Sequence, residues 1–225
     1  MHDTVTSRTK LRVWDLPTRL FHWSLVGLIA GLVYTGTEGG NLMEWHVRFG
    51  YAVLALLLFR LAWGFAGSRS ARFSDFVRGP RAVVQHLQSL RAKPAPHAGH
   101  NPAGGWMVIA LLLCVAVQVG TGLFANDDIL TEGPLAHWVS EDLSGRLTGI
   151  HELNFNLLLG LVSLHVLASL FYLFKGDNLF RPMLTGRKAV PAGTPVHEVI
   201  FVSTVRAAAL LAGAAALVWL LVSLA

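Results

Sequence analysis

The sequence predicts an all-α fold, a polytopic bundle of transmembrane helices. Of the 225 residues, 53% are hydrophobic and only 14% are charged, and the mean hydropathy is +0.53. These values exclude an ordinary soluble domain. The second observation is a series of five apolar stretches, since a span of about 20 residues crosses a bilayer core. The third is that successive connections alternate between basic and acidic composition.

The five predicted spans cover residues 20–36, 45–65, 106–124, 150–174 and 199–224. In the long connection after the second span, Pro80 begins a predicted short helix that ends near Leu90 and lies at the membrane interface. The turn-rich stretch 93–105 then predicts a loop, and a short external helix is expected around His137. We therefore divide the chain into an N-terminal segment 1–19, a four-helix core 20–176, a linker 177–198 and a fifth, C-terminal helix 199–225.

The charges of the connections predict the orientation of the chain. Basic residues concentrate before the first span, after the second and after the fourth, whereas the other two connections are acidic. Connections rich in Lys and Arg stay in the cytoplasm, so the N-terminus is expected inside and the C-terminus outside. The formal net charge of +5 therefore reflects topology. It does not indicate a nucleic-acid partner, because the basic residues flank apolar spans without interleaved aromatic residues.

Four histidines lie inside or at the edges of the spans: His22, His46, His151 and His165. An ionisable side chain inside a membrane is costly and marks a candidate functional site. His151 and His165 are fourteen residues apart on one helix, which is about 21 Å of rise and nearly a whole number of turns. The predicted topology puts His22 and His165 toward the cytoplasm, and His46 and His151 toward the outside. Two level pairs result, each drawn from two helices.

Each predicted pair suits a haem iron, with one imidazole on each face of the macrocycle. Such an iron exchanges single electrons, because both axial positions are filled and none is left for a substrate. Zinc is the main alternative metal, but no third or fourth ligand is expected to converge on either pair. Interfacial or structural histidines are the other alternative. The chain has no C-x-x-C-H motif for covalent attachment, so the two haems would be b-type and non-covalent.

Four arginines are candidate partners for the anionic haem propionates, which favour cationic groups near the interface. Arg19 and Arg60 are placed for the inner haem, and Arg48 or Arg146 for the outer one. The alternative is that these arginines anchor the spans at the membrane surface.

Three glycines, one cysteine and the remaining histidines are weaker candidates for functional residues. Gly27, Gly31 and Gly50 would let a ring approach the backbone, or they would allow tight helix packing. Cys114 is interpreted as a buried packing residue. The remaining histidines are expected to be solvated or interfacial: His2, His86, His97, His100, His137 and His197.

Several segments carry a family resemblance. They are VWDLPTRLFHW from Val13, HVRFGY from His46, FRLAWGFAGSRSARFSDF from Phe59, GHNPAGG from Gly99, the spacing between His151 and His165, and NLFRPMLTGRK from Asn178. Over about residues 10–190 the chain resembles the bacterial di-haem cytochrome b family, which includes the b-type cytochrome subunit of membrane-bound nickel–iron hydrogenases. The resemblance implies a four-helix core that holds two b haems, with ligands at the positions of His22, His46, His151 and His165.

The resemblance implies an electron-transfer subunit of a quinone-linked oxidoreductase in the respiratory chain of a bacterial inner membrane. Electrons would pass between the quinone pool and a redox partner, either an external cytochrome c or a membrane-bound dehydrogenase or hydrogenase. The acidic outer surface suits a basic partner such as a cytochrome c. Candidates for the quinone site are His100, Asn101 and Arg72 on the inner side and His137 on the outer side.

Two other functions stay open. The chain could be a free-standing quinone oxidoreductase that uses a small outer donor such as superoxide. It could also be a non-redox membrane scaffold or transporter with structural histidines, although the sequence has neither an inverted repeat nor the pair of broken helices that transporters use. The Ala- and Gly-rich face of the fifth span suits packing against a partner, a second copy in a homodimer, or the bundle itself.

Overall fold

The computed structural model describes residues 8–90, 99–127, 131–191 and 200–225. Three histidines that are expected to be solvated or interfacial lie outside the described residues: His2, His97 and His197. Parts of the predicted N-terminal segment and of the linker 177–198, and the first residue of the fifth predicted span, also lie outside them.

The described residues are mostly helical and include one small sheet. In chain order the elements are β1 (Arg8–Arg12), α1 (Leu16–Glu38), α2 (Met43–Ala66), α3 (Phe73–Phe76), α4 (Pro80–Ser89), α5 (Pro102–Gly122), α6 (Glu141–Phe174), α7 (Phe180–Thr185), β2 (Arg187–Pro191) and α8 (Thr204–Ser223). Helices α1, α2, α5, α6 and α8 are long and apolar enough to cross a membrane. The predicted fold, a bundle of transmembrane helices, is therefore confirmed.

Side chains cap the starts of α1, α5, α6 and α8, whereas α2 has no side-chain cap. Helix α1 begins four residues before its predicted span and α8 begins five residues after the start of its span. The starts of α5 and α6 also differ from the prediction. Asn101 caps α5 by accepting a hydrogen bond from the backbone N–H of Gly104 at 2.7 Å, so the last four residues of the predicted loop 93–105 are helical instead. Helix α6 begins after its Ser140 cap, nine residues before the predicted span, because its polar first turns continue beyond the apolar stretch. With 34 residues it is about 51 Å long, well beyond the hydrocarbon core of about 30 Å.

Asp15 joins the start of α1 to the end of α2. One carboxylate oxygen caps α1 by accepting from the backbone N–H of Thr18 at 2.8 Å. The other accepts a hydrogen bond from the indole N–H of Trp63 at 3.1 Å. Asp15 and Trp63 are 1% and 0% exposed. An unpaired buried donor or carboxylate is costly, so each side chain satisfies the other's hydrogen-bonding requirement.

The long helices form two hairpins, α1 with α2 and α5 with α6, which contact each other through α2 and α5. Helix α8 packs along α2, and its small residues Ala207 and Ala214 are buried in the same core as Val53 and Leu57 of α2. The small-residue face of the fifth span therefore packs against the bundle, which is one of the three roles predicted for it.

A two-stranded antiparallel sheet, which the sequence analysis did not predict, pairs β1 with β2. Lys10 lies opposite Ala189 in its register. Next to it, Lys188 forms an ion pair with Asp177 at 2.8 Å, and Val190 is buried. The sheet ties the segment before the first span to the segment after the fourth, and both belong to the predicted cytoplasmic side.

Helix α4 confirms the short helix predicted from Pro80, and it lies against α5. Its His86 is half-buried, whereas the prediction was a solvated side chain. Nε2 of His86 and the Tyr172 hydroxyl are hydrogen-bonded at 2.6 Å, and the two rings stack with an interplanar angle of 16°. Burial lowers the pKa of His86. The short helix expected around His137 is present as a 3-10 helix of three residues, Ala136–Trp138.

Candidate metal centres

Two pairs of histidines face each other at two levels of the bundle. The imidazole rings of His22 on α1 and His165 on α6 have centroids 6.3 Å apart. The rings of His46 on α2 and His151 on α6 are also 6.3 Å apart. The structure therefore brings together the two pairs that the sequence predicts, and α6 contributes one member to each pair. We call them the inner pair and the outer pair, after their predicted sides of the membrane.

The spacing within each pair fits one metal ion between two imidazoles. A bond from a metal to an imidazole nitrogen is about 2 Å long, so imidazoles on opposite sides of one ion have ring centroids about 6 Å apart. Among the described residues, no three His, Cys, Asp or Glu side chains come close enough to hold a metal ion together. Two imidazoles alone suit an ion whose other ligands come from a macrocycle, as in haem. The donor set thus fits haem iron.

The outer histidine His46 is held by the neighbouring helix α1. Its Nδ1 lies 3.0 Å from the carbonyl oxygen of Leu32 and 3.4 Å from the hydroxyl oxygen of Thr35. A carbonyl oxygen only accepts, so Nδ1 donates and the lone pair belongs to Nε2, the nitrogen left for a metal. The Thr35 hydroxyl in turn donates to the carbonyl of Gly31 at 2.8 Å.

The second outer histidine, His151, is held in the same way by α5. Its Nδ1 lies 2.9 Å from the carbonyl oxygen of Gln118 and 3.3 Å from the hydroxyl oxygen of Thr121. The Thr121 hydroxyl donates to the carbonyl of Val117 at 2.7 Å. Metal-binding histidines typically donate their second ring N–H to such an acceptor, which orients the ring. Both outer rings therefore have the support expected of metal ligands.

A short repeated sequence explains why the two outer histidines have equivalent surroundings. Residues 32–36 read LVYTG and residues 118–122 read QVGTG, so threonine and glycine recur at matching places near the ends of α1 and α5. A Cβ on Gly36 would lie 2.9 Å from Cε1 and Nδ1 of His46, and one on Gly122 would lie 2.9 Å from Cε1 of His151. The sequence analysis missed these residues, although the repeated V-x-T-G pattern was a signal that could have found them.

The inner pair lacks this hydrogen-bonded support. Nδ1 of His22 is buried and has no hydrogen-bond partner among the described residues, and the Trp23 ring stands edge-on to it at 5.0 Å. Within the part of the chain that the structure describes, the His165 ring has no hydrogen-bond partner, and the Ser169 hydroxyl donates to the backbone carbonyl of His165 at 3.0 Å. The two pairs thus share a ring spacing but differ in what surrounds the rings.

The predicted inner arginines have buried nitrogen atoms without protein acceptors. Arg60 is 3% exposed, its guanidinium lies 4.9 Å from the centre of the Phe73 ring, and its Nη1 has no hydrogen-bond partner among the described residues. Nε of Arg19 is likewise buried without a partner in that part of the chain. Arg60 follows His46 by fourteen residues on α2, the same spacing that separates His151 from His165. Arg60 therefore belongs to the inner level of the bundle.

The predicted outer arginines already have carboxylate partners. Arg48 forms an ion pair with Glu44, one turn earlier on α2. Arg146 pairs with Asp142 on α6 at 3.0 Å. All four side chains are well exposed, so neither arginine carries the buried, unpartnered nitrogen atoms found at the inner level.

The candidate glycines divide into two kinds. A Cβ on Gly31 would lie 2.9 Å from the Phe49 ring, so this glycine allows close packing of α1 on α2. A Cβ on Gly27 or Gly50 would meet nothing within 4 Å. Cys114 is buried and its thiol contacts the side-chain oxygen of Asn154 at 3.3 Å, which agrees with a packing role.

The candidate quinone residues have structural contacts of their own. Asn101 is the cap of α5, and Nε of Arg72 donates to the carbonyl of Gly67 at 2.9 Å. The ring of His100 lies between Trp14 and Phe76, with centroid distances of 4.7 and 4.6 Å. His137 is exposed and contacts Trp138 edge-on.

A helical membrane bundle with two pairs of facing histidines at different depths has the architecture of a b-type cytochrome. A family model described as prokaryotic cytochrome b561 matches residues 13–186, a range that includes all four histidines. The chain belongs to this family, as the resemblance in its sequence predicts. Its members are multi-pass bacterial membrane proteins of electron transport that bind haem b.

A curated relative agrees with this assignment. A probable Ni/Fe-hydrogenase B-type cytochrome subunit from Azotobacter vinelandii is 27% identical over 148 residues, which cover 55% of this chain and 62% of that protein. The chain thus spans less than two thirds of the relative's length. No solved structure matches the chain.

Proposed function

We propose that this protein carries electrons across the membrane between a quinone pool and a redox partner, through two bis-histidine b haems. His22 and His165 would hold the inner haem, and His46 and His151 the outer one. The observation that carries the proposal is the centroid separation of 6.3 Å in both pairs. Bound between two imidazoles, a haem supplies one-electron exchange with no position open to substrate.

The positions of the two pairs along α6 support transfer across the bilayer. His151 and His165 are separated by about 21 Å of helical rise, which is some two thirds of a hydrocarbon core of about 30 Å. Buried apolar side chains of the four core helices pack together in one cluster. A one-electron centre at each level would shorten every step that an electron makes between the two surfaces.

The arginines have distinct roles in the proposal. The buried, unpartnered nitrogen atoms of Arg19 and Arg60 suit the propionates of the inner haem, because a buried guanidinium gains most from an anionic acceptor. Arg48 would serve an outer propionate only in competition with Glu44. The inner haem is therefore expected to depend on its arginines more than the outer haem does.

The proposed partners follow from the predicted orientation, with the N-terminus in the cytoplasm and the C-terminus outside a bacterial inner membrane. The relative's name specifies a hydrogenase subunit, which supports a redox enzyme as the partner. Further carboxylates in the predicted outer connections, Glu38 and Glu141 among them, support a basic partner such as a cytochrome c. The quinone would exchange electrons at the other end of the haem pair.

The first experiment is to purify the full chain in detergent and count its haems. A dithionite-reduced minus oxidised spectrum should contain a b-type α-band, and a pyridine haemochrome assay should give about two haems per chain. His46→Ala and His165→Ala should each lose one haem, and His137→Ala, a matched surface control, should lose none. A colourless protein would overturn the proposal, and a single haem in the wild type would show that one pair does not bind.

A further inference from the structure

We propose that helix α4 and the arginine before it bind an anionic phospholipid at the predicted cytoplasmic edge of the bundle. The site consists of two cations, Arg78 and Arg81, and two exposed apolar side chains, Val84 and Leu87. We call it the α4 surface. The proposal goes beyond electron transfer, because it requires the membrane bundle but neither the haems nor the quinone.

Two contacts fix the depth of α4 at the ends of the membrane helices. The indole N–H of Trp106, near the start of α5, donates to the Arg78 carbonyl at 2.7 Å. His86 of α4 is hydrogen-bonded to Tyr172, near the end of α6. Trp106 is 45% exposed, and tryptophan and tyrosine concentrate where the headgroups meet the hydrocarbon core. Helix α4 therefore lies at this boundary.

The side chains of α4 divide into three sides around its axis, since each residue turns the helix by about 100°. His86 is on the side that packs on the bundle. Val84 and Leu87, one turn apart, share a second side and are 52% and 51% exposed. Arg81 and Gln85 are on the third side and are also exposed. A helix with an apolar and a cationic side at this depth is typical of segments that lie in the membrane interface.

The cations of the α4 surface have no carboxylate partner. Asp75 is the one acidic residue in the connection 67–101, and it forms an ion pair with Arg69 at 3.5 Å. The Arg78 guanidinium donates to the backbone carbonyl of Asp75 at 2.9 Å. Neither Arg78 nor Arg81 forms an ion pair among the described residues. Their positive charge is therefore available to an anion from outside the chain.

A phospholipid satisfies both parts of the α4 surface at once. Its phosphate accepts hydrogen bonds from guanidinium groups, and its acyl chains cover the exposed Val84 and Leu87. Each arginine near a membrane surface favours an anionic lipid by about fivefold. Inorganic phosphate could satisfy only the cations, and a protein partner would have to displace the bilayer at this depth. The occupant that fits is an anionic phospholipid.

Lipid titration of the full chain, purified in detergent, tests the site. Native mass spectrometry would measure binding of phosphatidylglycerol and of phosphatidylcholine with the same acyl chains. We expect phosphatidylglycerol to bind more tightly, and Arg81→Gln to weaken its binding by about fivefold. Arg81→Lys, which keeps the charge, should retain most of the preference. Equal binding of the two lipids to the wild type would overturn the proposal.

Arg206→Gln is the matched control. Arg206 is an exposed residue in the first turn of α8, on the same predicted side of the membrane, and its loss changes the net charge by the same amount. We expect this variant to bind phosphatidylglycerol as the wild type does. Equal weakening in both variants would show that any cation at this surface is sufficient, and the α4 surface would not be a site.

The apolar side distinguishes a lipid from a free phosphate. Val84→Ser together with Leu87→Ser should weaken phosphatidylglycerol binding, whereas Gln85→Ser, on the polar side of the same helix, should not. Inorganic phosphate at the concentration of the lipid should not displace it. Displacement by inorganic phosphate, or unchanged binding in the doubly substituted variant, would overturn the lipid as the occupant. Circular dichroism of each variant confirms that loss of binding does not come from loss of helix.

Discussion

Replacing Gly36 with alanine should displace the imidazole of His46 and weaken haem binding at the outer site. The new Cβ would lie 2.9 Å from Cε1 and Nδ1 of the ring, whereas non-bonded carbon atoms are best separated by about 3.5–4.0 Å. The ring must therefore retreat by about 0.6–1 Å. Its hydrogen bond to Leu32, now 3.0 Å long, would lengthen toward or beyond the usual limit.

The expected size of the effect follows from the cost of overpacking. Inserting a methyl group into a close-packed site costs about 1–3 kcal/mol, which corresponds to a loss of roughly 5- to 150-fold in haem affinity. Gly122→Ala should have a similar effect through His151, where the added Cβ would lie 2.9 Å from Cε1. Both variants should purify with close to one haem per chain by pyridine haemochrome, and the remaining spectrum should be that of the inner site.

Gly149→Ala is the matched control, because Gly149 is an exposed residue of α6 and a Cβ there would meet nothing within 4 Å. Alanine has a higher helix propensity than glycine by about 1 kcal/mol, so haem loss in the Gly36 variant could not come from a weakened helix. Two haems and an unchanged spectrum in both the Gly36 and Gly122 variants would refute the conclusion that these contacts position the outer ligands.

Three further changes test other parts of the structure. His165→Ala should lower the haem count from two to one and leave the absorbance of the outer site, and loss of both haems or of neither would contradict the pairing. Asp15→Ala should destabilise the bundle by about 2–4 kcal/mol, because a helix cap is worth about 1 kcal/mol and the Trp63 donor would be left unpaired at about 1–3 kcal/mol. Thermal unfolding in nanodiscs measures this loss, and Asp15→Asn, which keeps the cap, should lose less. For α4, burial lowers the pKa of His86 from its ordinary value of 6.5, so the docked helix is most stable above that pH and loses stability as the pH falls below it. Hydrogen exchange of α4, corrected for intrinsic rates, should show this loss in the wild type but not in His86→Phe.

The membrane helices and the histidine pairs could be predicted because each follows from a pattern within single segments. Apolar length predicts the spans, and the charges of the connections predict the depth at which each histidine lies. The spacing of His151 and His165 then directs both rings to one face of α6. Three local signals were therefore sufficient to predict contacts between residues that are far apart in the chain.

Contacts between segments could not be predicted by the same means. The acceptors of the outer histidines are backbone carbonyls of Leu32 and Gln118, and any residue type supplies a carbonyl. The strands β1 and β2 are five residues each, too short and too polar to show alternation. The predicted start of α6 lies nine residues too late. The hydropathy falls in the polar first turns of this helix, although its backbone hydrogen bonding begins at Glu141.

The pairing of β1 with β2 has a consequence for the order in which the protein is made. β1 is synthesised before the four helices of the core, but its partner begins at Arg187, after all four of them. At synthesis rates of about 5–20 residues per second, β1 must wait roughly 10–40 s for that partner. During this interval the inner ends of the two hairpins are not yet tied together. Pairing of β1 with β2 would then join the cytoplasmic ends of the two hairpins only after the helices of the core have been inserted.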